Sequence, residues 1–471
     1  MIHRRPRVAF AALLAALSLS GCAAENPVRQ AVDRARPIVS EYFRRCGAPA
    51  LQIAVGLDGR IVWSEAMGLA DRERGLEATT QSRFRIASVS KLLTGTLVAE
   101  LATRGTLDLD RPLGRYVPGI PAAWDPITAR MLVSHTSGIP HYTDDQDTLD
   151  TTRYPTTRAA LARFRDRPLV HPPGSAETYS SYAYTVLALA IEEATGSPFL
   201  DVMKTEVLDP LGMASTGPDR SDLVIPERTA FYQIAADGSA VEAPPVDLSG
   251  RWAGSGYLST AEDLVRFGMA HTDSGSLPAA VRMMIAERQV LPDGSLTKEG
   301  FGWGPRQDWD GRAMLWGDGS TPGSRCGLLV YPKEGLVIAI LTNARGVRLE
   351  RGEFQTLARL FLAAHEGVAP AGIPSGMDGA WQGTVKAGAA TMHVELTLDG
   401  APGPVKGSVS FAGWRSLDII DAFRLGSETW LVPLDRNGFL PIRVVASAGA
   451  LEANVPRANF SVTLRRAAGK R

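Results

Sequence analysis

Two strand-turn-strand signals far apart in the chain constrain its fold more than any other feature. In LQIAVGLDGRIVWSEAMGLAD, residues 51–71, two apolar runs meet at Asp58-Gly59, a dipeptide that favours the backbone angles of a tight hairpin turn. In GLLVYPKEGLVIAILTNA, residues 327–344, the arrangement returns around Pro332 to Gly335. A helical pattern over 27–45 precedes the first hairpin, and the amphipathic GEFQTLARLFLAAHEG follows the second. Between the hairpins the patterns are mostly helical. AYTVLALAIEEATG stops at Gly196, a residue suited to a left-handed cap, and STAEDLVRFGMA opens on a capping box from Ser259 to Glu262. These apolar faces are buried together if one sheet is assembled from both ends of the unit, flanked by helices and interrupted by an all-helical insert. The expectation is an α/β fold with mainly antiparallel pairing.

At 471 residues the chain exceeds what one core usually serves, and the pattern changes where a second unit is needed. The segment EGVAPAGIPSGMDG is rich in Gly, Pro and Ala, so a first domain is expected over 27–366 and a linker over 367–376. Beyond it come about eight short strand-type runs, among them MHVELTL, VKGSVSF, ETWLVPL and SVTLRR, with no helical pattern. They predict an all-β domain over 377–471, a small barrel or sandwich. Its opening, Trp381-Gln382-Gly383, resembles the lipocalin-like modules appended to some secreted hydrolases.

The first 22 residues are of another kind: a basic start, MIHRRPR, an apolar run, VAFAALLAALSLS, then Gly-Cys. The run is too short to span a bilayer and has the layout of a secretory signal. Leu19-Ser20-Gly21-Cys22 resembles the lipobox of bacterial lipoproteins, in which the cysteine is acylated and becomes the mature amino terminus; ordinary cleavage after Ala24 is the alternative. Ala23, which is not aspartate, implies sorting to the outer membrane, facing the periplasm, with attachment by lipid alone. Two cysteines then remain, Cys46 and Cys326, open to a disulfide or to separate burial as thiols. Basic and acidic residues number 50 each, and no stretch clusters Lys and Arg as a phosphate backbone requires, so nucleic acid is not an expected partner.

The chemistry is concentrated in FRIASVSKLLTG, where Ser88 stands three residues before Lys91. The spacing alone is cheap, because Ser295 stands three before Lys298 in a chain with only seven lysines. Context separates them. After Ser88, apolar residues at Val89, Leu92, Leu93, Thr96, Leu97 and Leu101 make a helical repeat ending at Gly105, so Ser88 and Lys91 share one face near unpaired N–H groups. Ser295 and Lys298 lie between Pro292-Asp293-Gly294 and Gly300, an exposed loop. A lysine takes the proton of a serine near neutral pH only if burial or a nearby cation lowers its pKa, so the pair requires a further group from elsewhere.

FRIASVSKLLTG, ITARMLVSHTSGIPHY, HPPGSAETYSSYAYTVLALAIEEATG, DPLGMAST and GYLSTAEDLVRF occur in the order found in the serine β-lactamase-related family. That family includes class C β-lactamases, DD-peptidases, esterases and D-aminopeptidases. SVSK with SHTSGIPHY and YSSYAYT is similar to the branch containing the mitochondrial β-lactamase-like protein. The resemblance implies Ser88 as the acylated nucleophile, Lys91 as its proton acceptor, and Tyr179 as the tyrosine of a Y-x-N motif whose third position is here Ser181. It also implies a structural His135 and no cofactor or metal.

The family's third motif, Lys-Thr-Gly or His-x-Gly, falls in LWGDGSTPGSRCGLLVYP, where the cationic position is Gly317 or Asp318 depending on the alignment. The oxyanion hole that the resemblance implies, the N–H of Ser88 with that of Ser320 or Thr321, needs no particular side chain. An Asp318 pointing into the cleft would repel carboxylates and favour neutral esters or amine-bearing substrates, with Arg325 able to restore positive charge. The expectation is a serine hydrolase acting on a small-molecule or peptide ester or amide, esterase- or peptidase-like rather than an efficient β-lactamase. A retired hydrolase serving as a scaffold or binding lipoprotein is the rival reading. Oligomeric state is not legible.

Overall fold

Every residue of the strand Ala50–Leu57 is buried, which requires cover on both faces of its sheet. The computed structural model describes residues 26–387, 390–399, 406–412, 416–435, 438–447, 449–458 and 460–467. Its central sheet contains β1 (Ala50–Leu57), β2 (Arg60–Asp71), β3 (Leu76–Glu77), β4 (Gly304–Gln307), β5 (Ala313–Thr321), β6 (Ser324–Tyr331) and β7 (Leu336–Thr342). Their order is β3-β2-β1-β7-β6-β5-β4 with every neighbour antiparallel, so the two hairpins meet where β1 lies against β7.

The principal helices are α1 (Pro27–Cys46), α2 (Ser90–Thr103), α3 (Ser181–Thr195), α4 (Ala261–Ala270) and α5 (Arg351–His365). Alternation along β1 sends Leu51, Ile53, Val55 and Leu57 into a core with α1 and α5, and Ala50 and Ala54 into the core that holds α2, α3 and α4. Helix α1 begins at Asn26, whose side chain accepts the Val28 N–H, and ends at Gly47 in the left-handed region. Gly196 closes α3 in the same way.

The capping box expected from Ser259 to Glu262 does not form; a single side-chain cap stands one residue later. Ser259 is held in a short strand opposite Phe84, so the chain enters α4 only at Thr260, whose hydroxyl accepts the Asp263 N–H. Cys46 and Cys326 are free buried thiols in different cores; Cys326 donates to the Ile86 carbonyl at 3.1 Å, and burial pushes its thiol up to about 12.

From Gly379 onward the described chain is almost entirely strand. Eight strands form a barrel that closes where Ser416–Leu425 pairs with Glu428–Asp435, and apolar side chains such as Leu396, Val409, Leu431, Val444 and Leu464 fill it. Trp381 is buried there, its indole N–H donating to the Met377 carbonyl and Arg466 lying over its ring. The barrel rests on α1 and α5. Arg34 pairs with Asp421 at 2.6 Å, Arg45 donates to the Leu434 carbonyl, and buried Glu353 accepts the Phe439 N–H while pairing with Arg457 at 3.2 Å. Barrel residues Phe423, Trp430 and Phe439 share the α1 and α5 core, on the face of the sheet opposite α2.

Among the described residues no helix is long and apolar enough to cross a membrane. Cys22, read as the lipid-bearing residue, lies outside the described residues.

Candidate active site

The backbone entering α2 is bent before chemistry begins. Ala87 adopts φ +45°, an uncommon angle for a residue with a Cβ, inside a short 3-10 turn spanning Ala87–Val89. Ser88 therefore stands in this turn rather than in α2, which starts at Ser90. Lys91 follows in the first turn of α2, 2 % exposed. Its Nζ donates to the Gly254 carbonyl at 2.8 Å, to Ser181 Oγ at 3.0 Å and to Ser88 Oγ at 3.3 Å. Burial, aided by the nearby charge of Arg251, lowers its ammonium to about 7. The further group that the Ser-Lys pair requires is thus a dry site together with a second cation.

Tyr179 donates from its hydroxyl to Ser88 Oγ at 2.8 Å. Tyr179 is 41 % exposed along the open cleft, and desolvation by the neighbouring protein pushes its phenol up to about 12. Tyr179 is then protonated at neutral pH, while Lys91 has a large neutral fraction. Ser181, the third position of the Y-x-N motif, is 3 % exposed, with its hydroxyl occupied by Lys91.

The start of α3 is held by two histidines. His135, at φ +63°, accepts the Ser180 N–H, and its ring centre lies 4.5 Å from that of Tyr179; His141 accepts the Ser181 N–H at 3.2 Å. Burial first, and the charge of Lys91 next, drive His135 well below its usual value and His141 to about 4. Both rings are neutral at physiological pH and answer N–H groups that the first turn of a helix leaves unpaired.

Strand β5 forms the facing wall. A Cβ built on Gly319 would lie 2.6 Å from the Ile86 carbonyl oxygen and 2.8 Å from the Ser88 nitrogen, so only glycine lets β5 approach this closely. A Cβ on Gly317 would meet the end of the Leu92 side chain at 2.5 Å, so any larger residue in this register requires buried Leu92 to shift. Asp318, Gly319, Ser320 and Thr321 line an open cleft of about 800 Å³ with Ser88, Tyr179 and Ser181. Asp318 and Arg325 both line the cleft and pair at 2.5 Å, so the Arg325 charge offered in the sequence as a counterweight lies directly against the Asp318 carboxylate. Among the described residues no cluster of three or more His, Cys, Asp or Glu side chains is placed to hold a metal ion.

The second Ser-Lys pair is an exposed turn. Ser295 Oγ donates to Asp293 at 2.6 Å, and the Lys298 N–H donates to Glu177. Sequence reasoning missed the Gly254 carbonyl, His141, Arg251 and Arg345. His141 lies within a quoted block, but nothing in that block distinguishes a ring that caps a helix; a carbonyl acceptor has no sequence signature at all.

A family model described as Beta-lactamase matches residues 35–360. The human serine beta-lactamase-like protein LACTB, mitochondrial, is 27% identical over 433 residues, covering 68% of this chain and 78% of that protein. The D-alanyl-D-alanine-carboxypeptidase/endopeptidase AmpH of Escherichia coli (strain K12) is 31% identical over 274 residues, 53% of this chain and 69% of that protein. In fold, the octameric penicillin-binding protein homologue from Pyrococcus abyssi matches with a TM-score of 0.60 at 19% identity, over 92% of this chain and 100% of that one.

Proposed function

The chain belongs to the Beta-lactamase family and is a serine hydrolase, and from that premise we propose that it works through an acyl-enzyme on Ser88, formed from an ester or amide. The observation that carries this reading is that Ser88 Oγ lies within hydrogen-bond reach of both buried Lys91 Nζ, at 3.3 Å, and the Tyr179 hydroxyl, at 2.8 Å; when Lys91 is neutral, the Ser88 hydroxyl can donate to its lone pair. Neutral Lys91 takes the proton as Ser88 Oγ attacks the acyl carbon. Protonated Tyr179 gives a proton to the leaving group and is restored from Lys91, so the net transfer runs from Ser88 to the leaving group. Backbone N–H groups of Ser88 and of Ser320 or Thr321 are the proposed oxyanion donors, and water then releases the acyl group.

The scaffold reading draws on Gly317, which carries no cation. A buried lysine poised near pH 7 against a serine costs stability and serves no purpose in a scaffold, which favours the enzyme. Intact-mass analysis after exposure to a fluorophosphonate separates the two. One adduct is expected, retained in Ser295→Ala and absent from Ser88→Ala; a folded wild-type chain without any adduct overturns the enzyme reading.

We further propose, from Leu19-Ser20-Gly21-Cys22 alone, that the protein is tethered by lipid on Cys22 to the outer membrane, facing the periplasm. Cys22→Ser is expected to move it from the membrane to the soluble fraction, and unchanged fractionation would refute the tether.

A further inference from the structure

Arg251 is a buried guanidinium that makes no ion pair with a carboxylate among the described residues. It is 6 % exposed and lines the same cleft as Ser88, between Ser249 and the short helix Trp252–Ser255. One of its terminal nitrogens reaches the carbonyls of Thr148 at 3.2 Å and Asp147 at 3.4 Å, and its plane lies 5.1 Å from the centre of the Tyr142 ring. Those contacts hold the side chain but leave its charge unanswered. Three aspartates border the same small pocket as Arg251, and each is engaged elsewhere: Asp147 by Arg167 at 2.6 Å and Arg163 at 3.3 Å, Asp150 by the Tyr154 hydroxyl, and Asp247 by the Ser221 and Ser249 hydroxyls.

A buried charge is costly unless an anion pairs with it. Ser255, four residues on, repeats the anomaly: it is 5 % exposed, lines the cleft, and its hydroxyl has no hydrogen-bond partner among the described residues. A guanidinium without an ion pair and an unpartnered hydroxyl thus both line the cleft on the helical insert. Arg345, on the β5 side, also lines the cleft without an ion-pair partner among the described residues, whereas Arg325 is neutralised by Asp318. The acidic residues in the lining are that paired Asp318 and the exposed Asp144, whose carboxylate accepts the Asp147 N–H.

We propose that Arg251 and Ser255 form a subsite for an anionic group, a carboxylate, on the part of the substrate that lies against the helical insert. A carboxylate offers only acceptors in one plane, which matches the two guanidinium nitrogens left open on Arg251 and the free hydroxyl of Ser255. The proximity of Arg251 to Lys91 adds a consequence: an anion bound there offsets the charge that helps hold Lys91 neutral, so the subsite couples substrate charge to the base. This deepens the hydrolase reading and rests on it for the identity of the reacting group.

The test compares the 4-nitrophenyl monoester of adipic acid with that of adipamic acid, which differ only by carboxylate against carboxamide, on the full chain. The wild type is expected to favour the carboxylate ester in kcat/KM by about tenfold or more, the range of a hydrogen-bonded charge. That ratio should shrink as salt rises from about 0.05 M to about 0.5 M, approach one in Arg251→Gln, and survive in part in Arg251→Lys. Equilibrium binding of adipamate against adipamide to Ser88→Ala reads the same preference without turnover. A wild type with no preference, or one whose preference persists in Arg251→Gln, overturns the subsite. Turnover of the neutral ester without any charge preference leaves the hydrolase standing and removes the subsite. A preference in binding without turnover of either ester or any fluorophosphonate adduct does the reverse.

Discussion

A lysine at its ordinary value of 10.5 is protonated at pH 7 and has no lone pair for the proton of Ser88. Burial brings Lys91 to about 7, so the reactive form accumulates as pH rises through that value, while Tyr179, pushed up to about 12, stays protonated throughout. The rate of fluorophosphonate labelling of Ser88 is therefore expected to climb between pH 6 and 8 with a midpoint near 7, then level off. A flat profile over that range would remove Lys91 as the base. Ser88, Lys91, Tyr179 and Ser181 were legible because their side-chain types recur in ordered blocks. Gly254 was not, since it contributes only a carbonyl, and neither was Arg251, whose meaning depends on the surrounding aspartates being engaged by other groups.

At the scale of elements the site depends on how closely β5 runs past the turn that carries Ser88. Gly319→Ala inserts a methyl against the Ile86 carbonyl and the Ser88 nitrogen, and β5 has to withdraw. Labelling of Ser88 is expected to slow by about 100-fold, the scale of a displaced oxyanion donor. Gly372→Ala, whose added carbon meets nothing within 4 Å, is the control. Equal rates for the two variants would show that the approach of β5 does not matter. The glycines of the third motif read in the sequence as the loss of a cation; packed against Leu92 and the Ser88 turn, they are what allows the contact. The start of α4 falls one residue later than its local spacing indicates, for a related reason. Local spacing fits Ser259, but pairing with Phe84 keeps that residue extended.

For the molecule as a whole, the barrel is joined to α1 and α5 by ion pairs removed from water, and these depend on pH. Burial raises Asp421 from 3.8 to about 6 despite its pairing with Arg34. The folded state then holds this proton more tightly than the unfolded chain does, so the contribution to stability is complete below about 3.8 and is lost as pH rises through 6. Asp421→Asn is expected to reduce the fall in Tm between pH 5 and pH 7 in calorimetry, and an unchanged slope would assign that dependence elsewhere. That the last hundred or so residues are all-β was readable from short runs and turns; that they close on themselves and sit behind the sheet, away from Ser88, was not. What the sequence determined by itself was local: the period of each element, the turns at Asp58-Gly59 and Pro332–Gly335, and the residue types able to carry out acyl transfer. The tertiary structure alone decided which of two identical Ser-Lys spacings is dry enough to bring a lysine near pH 7, and which arginines in the cleft have their charge answered. Desolvation and ion pairing are set by groups distant in the chain, and no local pattern encodes them.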